Sequence, residues 1–364
     1  MSKIVDLYGL LIDNVNKFVI IMNNSRSKIL FIKPSNATFV LQDEAILKKN
    51  FNVKVYLYNN KGLINNFLST INQLFFLFSN MFFSTKIFIW FADYHALLPV
   101  IFAKIFNKKV YLVIGGYDAV SLPEFNYGAH RSRLRSSLIG WICNHVDFIL
   151  PVSHFIKEQL LKNIQGLVNE RVHVVWNGID THNFIKTQSF EHKKRQVVCV
   201  AVVDSDVRYQ VKGVDRFVEL AEKCPNYEFI LVGVNTDFEL KLSSLRIPNL
   251  KMIQKVNRTE LLDIYAESMF VCQFSRIESF GIAMIEGILN QCLPLTIAGT
   301  ASTELLGSKF SEYVFDAFDT DEICKKMNAF ETDFNVRVSE LQTMAIENFS
   351  TIKRENALID LLSI

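Results

Sequence analysis

The feature that most constrains the fold of this sequence is a repeated alternation between short apolar runs and longer amphipathic stretches. Short apolar runs predict buried strands, and the stretches between them are long enough for helices that cover a parallel sheet. In the first half, the predicted strands are Ser27 to Lys33, Val53 to Tyr58, Lys86 to Phe91, Lys109 to Ile114, Phe148 to Val152 and Val172 to Trp176. The predicted helices are Phe39 to Asn50, Ala96 to Phe106, Arg133 to Asn144 and Ser153 to Asn163. The first half is therefore predicted to be an α/β domain.

The second half begins the same alternation again. Its predicted strands are Gln196 to Val203, Glu228 to Val232, Lys251 to Ile253, Phe270 to Phe274 and Leu293 to Ile297, and its predicted helices are Val214 to Lys223, Arg258 to Glu267 and Ile282 to Leu289. A chain of 364 residues is long enough for two domains. The polar stretch Asp180 to Arg195 marks the linker. We therefore predict two Rossmann-like α/β domains, residues 1–182 and residues 183–342.

The cysteines and the N-terminal residues indicate the cellular compartment in which the protein is expected to act. The six cysteines occur singly, with no Cys-x-x-Cys pair and no His-rich neighbour that would indicate zinc or redox chemistry. We expect all six to be reduced core residues of a cytosolic protein. Residues 1–26 lack the basic flank and the long apolar core of a secretory signal, and no role is predicted for them.

The charge is distributed unevenly. Residues 1–185 hold 19 Lys and Arg against 11 Asp and Glu, a net charge of +8, whereas the remaining residues hold 20 against 26, a net charge of −6. A basic half suits nucleic acid, an anionic membrane surface or a phosphorylated substrate. Because no zinc-finger, helix-turn-helix or RNP-like pattern accompanies the charge, we expect no nucleic-acid partner.

One stretch of the first half carries no charge at all. Gly62 to Thr85 has apolar residues at helical spacing, namely Ile64, Phe67, Leu68, Ile71, Leu74, Phe75, Phe78 and Phe82. The main prediction is a buried helix of the first domain, and contact with a membrane surface is the alternative. Five side-chain amides make a spanning helix costly, because lipid offers them no partners.

The most informative stretch for chemistry is Ser275 to Gly287. An apolar strand runs into a short polar loop, Gly281 follows, and an amphipathic helix begins. Backbone N–H groups at such a helix start favour a diphosphate. Glu278 precedes this helix and Glu286 lies about two turns beyond it, so the two carboxylates can contact different parts of one elongated ligand. A capped helix with one buried and one solvated glutamate explains the same residues without any ligand.

This stretch resembles the Glu-x7-Glu motif of the retaining glycosyltransferases of family 4, the glycosyl transferases group 1, which use the GT-B architecture. Further segments resemble family motifs in the family's order: Pro151-Val152-Ser153, Val174 to Asp180, and Val211-Lys212-Gly213-Val214-Asp215. Each motif alone is weak, but four in register with predicted strands are specific, and together they span roughly Ser27 to Thr303. The resemblance implies two domains that face each other across a cleft. It also implies that a last helix, predicted near Thr343 to Leu362 within residues 343–364, packs back on the first domain.

The resemblance implies a role for each matched residue. Glu286 would hold the donor ribose, Glu278 would contact the transferred sugar, and Lys212 would contact the diphosphate together with Arg208, the nearest basic residue. The loop and turn residues Ser279, Phe280, Gly281, Ile282 and Gly213 would line the donor site. No metal is expected, because fixed cations and backbone donors stabilise the charge that grows on the diphosphate.

The first half departs from the family pattern at two places. Pro34-Ser35-Asn36-Ala37-Thr38 stands where the family often has a glycine-rich turn, and Gly115 stands where a histidine is common. Asp118 matches a family acid and is included among the catalytic residues, with a helix N-cap as the alternative. His95 is interpreted as structural, and a position lining the cleft is its alternative.

The expected function is transfer of a sugar from a UDP- or GDP-linked donor to a glycan or lipid-linked glycan, in cell-surface polysaccharide synthesis. The nucleotide sugar is a substrate, and no cofactor is expected. Retention at the anomeric carbon is implied by the resemblance alone. The expected location is the cytoplasm, with peripheral contact at the inner face of the plasma membrane as a further hypothesis.

Three alternatives to this function are weighed. A non-catalytic GT-B subunit of a polysaccharide assembly complex is the first, and a nucleotide-sugar epimerase on the same fold is the second. A dehydrogenase is the least consistent, because no Gly-x-Gly-x-x-Gly follows either first strand.

Overall fold

The computed structural model describes residues 28–60, 62–181 and 193–364. The N-terminal residues 1–26 and most of the predicted linker lie outside these ranges. Of the described residues, those up to Val113 together with Trp141–Ile149 form one compact unit, and Ile114–Gly140 together with those from Leu150 to Ile364 form another. The domain boundary after residue 182 stays a prediction.

The first sheet has the strand order β2-β1-β3-β4-β5. Its strands are β1 (Lys28–Lys33), β2 (Asn52–Leu57), β3 (Lys86–Trp90), β4 (Lys109–Ile114) and β5 (Phe148–Pro151), and its helices are α1 (Thr38–Asn50), α2 (Leu63–Asn80), α3 (Tyr94–Ile105), α4 (Arg133–His145) and α5 (His154–Asn163). The pairings β1–β2, β1–β3 and β3–β4 are parallel. Ile29, Leu30 and Phe31 are fully buried because helices cover both faces, as the unbroken apolar run predicts.

The second sheet has the order β11-β10-β9-β6-β7-β8. Its strands are β6 (Lys194–Val203), β7 (Glu228–Val234), β8 (Leu250–Ile253), β9 (Ser268–Gln273), β10 (Leu293–Ile297) and β11 (Val314–Phe315). The helices from here to the C-terminus are α6 (Asp206–Val211), α7 (Val214–Lys223), α8 (Thr236–Ser243), α9 (Arg258–Glu267), α10 (Ile282–Leu289), α11 (Ala301–Leu306), α12 (Thr320–Phe330), α13 (Phe334–Phe349) and α14 (Thr351–Ser363). The two parallel sheets confirm the predicted α/β fold class.

Two predicted elements are wrong in detail. Val172 to Trp176 forms no strand of either sheet, because the Arg354 guanidinium occupies the carbonyls of Val175 and Trp176. The single C-terminal helix is two helices, α13 and α14. They separate at Ser350, whose extended backbone lets Ile179 pair with the chain there: Ile179 N donates to Phe349 O at 2.7 Å, and Thr351 N donates to Ile179 O at 3.0 Å.

The cysteines are divided between two states. Cys143, Cys199, Cys272 and Cys292 are free and buried, as predicted. The prediction is wrong for Cys224 and Cys324, which form a disulfide with their Cα atoms 6.1 Å apart. Cys224 follows α7 and Cys324 lies in α12, and these helices pack together although 100 residues separate the two cysteines. Sequence spacing gives no sign of such a pair.

Helix α2 forms as predicted, but the prediction that it is buried is wrong. Phe67, Phe75 and Phe78 face outward, whereas Ser69 and Gln73 are buried. Gln73 Nε2 donates to the His95 carbonyl at 2.8 Å, and the Ser69 hydroxyl accepts from Asn59 N at 3.1 Å. These polar contacts fix which side of the helix faces inward. Across the described ranges, no helix combines the length and apolarity needed to cross a bilayer.

Candidate functional site

The candidate site lies where the second sheet reverses its strand order. The chain runs from β6 outward to β8, then returns to β9 beside β6 and continues to β11. At such a reversal the loops that follow the two central strands diverge and leave a crevice at the carboxyl end of the sheet. Most of the predicted site residues lie in the loop that joins β6 to α7, which contains the short helix α6, and in the loop after β9.

Gly213 brings these two loops into contact. It has a positive φ of 66°, and a Cβ atom at this position would lie 2.0 Å from the carbonyl oxygen of Phe274. Only glycine fits such an approach of two backbones. The contact places Lys212 against the loop after β9, with its Nζ 3.0 Å from Glu278 Oε2. The structure therefore brings together two of the predicted catalytic residues.

Glu278 is the most heavily coordinated carboxylate of this region. Besides Lys212, its Oε2 accepts from Gln273 Nε2 at 3.3 Å and from Ser275 Oγ at 3.2 Å. Its Oε1 accepts from the Ser279 backbone N–H at 3.2 Å. These donors hold an ionised carboxylate in place. The attraction of Glu278 is also the main cause of the raised pKa of Lys212, so the pair is a salt bridge at neutral pH.

Arg208 lies one helical turn before Lys212. The short helix α6 begins after Ser205, whose side chain accepts from Arg208 N, and Lys212 N donates to Arg208 O at 2.9 Å. Residues four apart on a helix share a face, so the spacing of the two basic residues suits one anion. The Arg208 guanidinium pairs with Asp204 at 2.7 Å and is exposed.

The loop after β9 ends at the start of α10, which is the next part of the site. Gly281 has a φ of 90° and occupies the N-cap position, and no side chain caps this end of the helix. The first backbone N–H groups of α10 can therefore donate hydrogen bonds to an anion. Phe280 is buried edge-on against Phe349, and Ser279 lies against Gly116, where a Cβ atom would be 1.8 Å from the serine hydroxyl oxygen. Ile282 is the first residue of α10.

Glu286 lies on the second turn of α10. Its Oε1 accepts from Arg258 Nη1 at 2.6 Å, and its side chain is largely buried. Burial raises the pKa of Glu286 above the ordinary range, and Arg258 opposes this rise. Glu286 and Glu278 thus have separate sets of partners, as their assignment to different parts of a ligand requires.

Two neighbours of these residues were not predicted as site residues. Arg258 was recognised only as a helix start, and its ion pair with Glu286 joins positions 28 residues apart. Tyr127, in the loop after β4, lies within the electrostatic field of both Lys212 and Glu278, and burial raises its pKa. Neither residue matches a motif, and only the fold brings them near the two glutamates.

The side chains of Asp118 and His95, the other predicted residues of the first half, form hydrogen bonds with backbone atoms close to them in the sequence. Asp118 is buried and accepts from Gly116 N at 2.8 Å in a turn, so it does not cap a helix. His130 Nε2 donates to the Asp118 carbonyl at 3.0 Å, and burial lowers the pKa of this imidazole. His95 is buried and its Nε2 donates to Trp90 O at 2.7 Å, in agreement with its structural interpretation.

No group of three or more His, Cys, Asp or Glu side chains suited to a metal ion occurs in the part of the chain that the structure describes. The groups gathered at the crevice are a lysine, an arginine, two carboxylates and an uncapped helix start. Such a set suits an anionic ligand that also carries hydroxyl groups.

Two family models match the chain. A model described as Glycosyltransferase Family 4 matches residues 89–183, and a model described as glycosyl transferases group 1 matches residues 181–349. No curated protein matches the sequence.

Several solved structures share the fold. HepE from Anabaena, in complex with UDP-glucose, is 16% identical over 92% of this chain and 99% of its own, with a TM-score of 0.72. Sucrose-phosphate synthase from Thermosynechococcus elongatus is 10% identical over 93% and 98%, with a TM-score of 0.74. The lipopolysaccharide outer core galactosyltransferase WaaB is 12% identical over 92% and 99%, with a TM-score of 0.67. At these identities the likeness establishes the fold.

The fold and the matched models define a glycosyltransferase with the GT-B fold. Within that class, the chain carries a Glycosyltransferase Family 4 domain over residues 89–183, followed by a glycosyl transferases group 1 domain over residues 181–349.

Proposed function

We propose that this protein transfers a sugar from a nucleoside diphosphate donor, UDP- or GDP-linked, to a glycan or lipid-linked glycan with retention at the anomeric carbon. The observation that carries the proposal is the Lys212–Glu278 pair, 3.0 Å apart, in the crevice at which the uncapped helix α10 begins. One such site offers cations for a diphosphate and a carboxylate for sugar hydroxyls.

The diphosphate is assigned to Lys212, Arg208 and the first amides of α10. As the bond between the anomeric carbon and the phosphate oxygen breaks, negative charge grows on the diphosphate, and preorganised donors lower the barrier. These groups supply the positive field that a divalent metal would otherwise provide. Gly281 and Gly213 keep the backbone within reach of the phosphates, because a side chain at either position would clash with neighbouring atoms.

Glu278 is assigned to the hydroxyl groups of the transferred sugar. Without donor, Lys212 and three other donors satisfy its carboxylate. When a diphosphate attracts Lys212, sugar hydroxyls can replace the lysine at the carboxylate with little change in geometry. The site is thus preorganised for the donor.

Glu286 is assigned to the ribose hydroxyls. Arg258 at 2.6 Å favours the ionised form of Glu286 against the cost of burial. The ionised carboxylate accepts hydrogen bonds through both of its oxygens, one for each hydroxyl, and these bonds are stronger than those to a neutral group.

Retention is assigned to a front-face reaction. The acceptor oxygen forms its bond to the anomeric carbon on the face that the diphosphate leaves, and the acceptor proton passes to the departing phosphate oxygen. Asp118 is held by its own loop through Gly116, so the phosphate rather than this carboxylate is assigned as the base. Such a reaction depends on donor positioning more than on a protein base.

The acceptor and the cellular role rest on the family and on charge. The structurally similar WaaB is a lipopolysaccharide outer core galactosyltransferase, and the first half of this chain has a net charge of +8. A lipid-linked glycan at the inner face of the plasma membrane, in polysaccharide synthesis, agrees with both. The basic half then attracts the anionic surface that carries the acceptor.

The proposal is tested by following nucleotide sugars with the purified protein by NMR. We expect slow release of free sugar from a UDP- or GDP-linked donor. The anomer that forms first should have the same anomeric configuration as the donor. An unchanged donor after long incubation, in spite of binding, would favour the non-catalytic subunit, and conversion to an epimer would favour the epimerase.

Activity is expected to survive chelation. Because Lys212, Arg208 and the α10 amides stabilise the diphosphate, EDTA should leave the transfer rate within about twofold of the untreated rate. The same assay with added magnesium is the control. Complete loss of activity on chelation, restored by magnesium or manganese, would contradict this account of the diphosphate site.

A further inference from the structure

Helix α2 has its polarity reversed relative to an ordinary surface helix. Its exposed side includes Ile64, Phe67 and Phe75, which are 77%, 66% and 65% exposed, and Leu68, Ile71 and Phe78 are exposed on the same side. A surface helix normally buries its apolar stripe and exposes its polar side. An apolar stripe of this length, about 27 Å for 18 residues, therefore requires a partner.

The orientation of α2 is fixed by its buried side. Leu77 packs inward, Gln73 donates to the His95 carbonyl, and the Ser69 carbonyl accepts from Tyr56 OH at 2.6 Å. Rotating the helix to bury the phenylalanines would break these hydrogen bonds and leave buried polar groups without partners, which is costly. Rotation of α2 about its own axis therefore cannot bury the apolar stripe.

The stripe continues beyond the helix. Phe82, Phe83 and Ile105 are also largely exposed. The Phe78 ring meets Phe102 of α3 at 5.0 Å, and the Phe82 ring meets Phe106 at 4.8 Å. We call the exposed residues Ile64, Phe67, Leu68, Ile71, Phe75, Phe78, Phe82, Phe83 and Ile105 the α2 face. Its residues come from α2, from the turn that follows it and from α3, and both the turn and α3 contact α2.

The charge in the sequence around the α2 face is mostly positive. Residues 51–110 contain six lysines and one acidic residue, Asp93. Lys104, next to Ile105, is exposed, and Lys28 lies 5.1 Å from the centre of the Phe83 ring. Phenylalanines flanked by lysines match the boundary of an anionic bilayer, where rings enter the acyl region and ammonium groups stay among the headgroups.

We propose that the α2 face docks on the surface of an anionic lipid bilayer, with α2 lying in the plane of the interface. The acyl region of a bilayer can accept the exposed rings, and its negative surface potential complements the lysines. The inference rests on exposure and charge and does not require the proposed sugar transfer, although it agrees with a lipid-linked acceptor.

The first test uses flotation of the full chain with vesicles of phosphatidylglycerol and phosphatidylcholine, compared with phosphatidylcholine alone. Binding should prefer the anionic vesicles and weaken as salt rises from about 0.05 to 0.5 M. The double variant Phe67→Asp with Phe75→Asp should bind at least about tenfold more weakly. The control Leu240→Asp, at a position 67% exposed on α8, should bind like the wild type. Equal binding by the double variant and the wild type would overturn the proposal.

The second test asks what covers the α2 face. Phe75→Trp, with Leu240→Trp as the control, should emit like an exposed tryptophan in buffer and should shift to shorter wavelength and be quenched by brominated lipids on anionic vesicles. Quenching at position 75 but not at position 240 supports the proposal. If the tryptophan at position 75 is already shielded from acrylamide without vesicles, then residues before Lys28 or a second copy cover the face, and the lipid proposal fails.

Discussion

At the scale of single residues, the two glutamates differ in how they are held. Glu278 is fixed by four donors from two segments of chain, whereas the described hydrogen bonds to the Glu286 side chain come from Arg258 alone. A carboxylate with one ionic partner depends on that partner for both its charge and its direction. Arg258 is therefore a positioning residue for Glu286.

Replacing Glu286 should affect donor binding more than the rate. Ribose hydroxyls are remote from the breaking bond, so the contact is expected to be equally strong in the ground and transition states. Glu286→Ala should raise the donor KM by roughly 10-fold to 150-fold, corresponding to about 1.5 to 3 kcal/mol, with kcat nearly unchanged. Steady-state kinetics with varied donor measure both constants. A normal donor KM in the folded variant would contradict the assignment to ribose.

Replacing Arg258 should change the pH dependence of donor binding. Burial raises the pKa of Glu286, so donor affinity should fall as the pH falls through that pKa and the carboxylate becomes neutral. Because Arg258 lowers this pKa, Arg258→Gln should move the loss of affinity to higher pH. Lys255→Gln, which removes a nearby exposed charge, is the control. If Arg258→Gln changes the donor KM by the same factor at every pH, so that affinity is lost at the same pH as in the wild type, then Arg258 has no role in the ionisation of Glu286.

At the scale of secondary-structure elements, Glu304 of α11 connects several segments. Its carboxylate accepts from His154 N at 2.9 Å and Phe155 N at 2.7 Å, at the start of α5, and from Trp176 Nε1 at 3.1 Å. Ser153, the serine of the family-like Pro-Val-Ser segment, caps the same helix through Ile156 N. A carboxylate at a helix start also gains from the helix dipole.

Glu304→Ala should destabilise the protein by about 1.5 to 3 kcal/mol, because it removes a charged acceptor from three N–H donors. Urea unfolding followed by circular dichroism measures the loss. Glu340→Ala, which removes an exposed ion pair with Lys309 at 3.1 Å, should cost less than about 1 kcal/mol. Equal losses in the two variants would mean that the Glu304 contacts contribute no more than a surface pair.

Periodicity predicted elements better than it predicted their surroundings. The bounds of α7, α9 and α10 agree with the sequence prediction residue for residue, because each has a regular apolar stripe and clear ends. The short helix α6 lacks such a stripe and was missed. In α2 the stripe was recognised and its side was misassigned, because periodicity identifies an apolar side without saying whether it faces the core. The buried partners of Ser69 and Gln73 decide that question, and they come from other elements.

At the scale of the whole molecule, the second sheet explains why distant residues form one site. Lys212 and Glu278 are 66 positions apart, and they meet because the loops after β6 and β9 are neighbours at the strand reversal. The alternation of strands and helices predicted the sheets, whereas the assignment of site residues comes from the family resemblance and stays a prediction. The pairing of Arg258 with Glu286, and the disulfide between α7 and α12, depend on packing that no local pattern encodes.

The most direct test of the account compares sugar transfer by the wild type and by Glu278→Gln. Glu278 is assigned to the sugar, where a small displacement of the anomeric carbon reduces the rate. We expect kcat to fall by roughly a hundredfold or more, while the plain nucleoside diphosphate still raises the thermal midpoint as it does in the wild type. Circular dichroism first establishes that the variant is folded. Transfer at the wild-type rate by folded Glu278→Gln would contradict the central claim that this carboxylate positions the donor sugar.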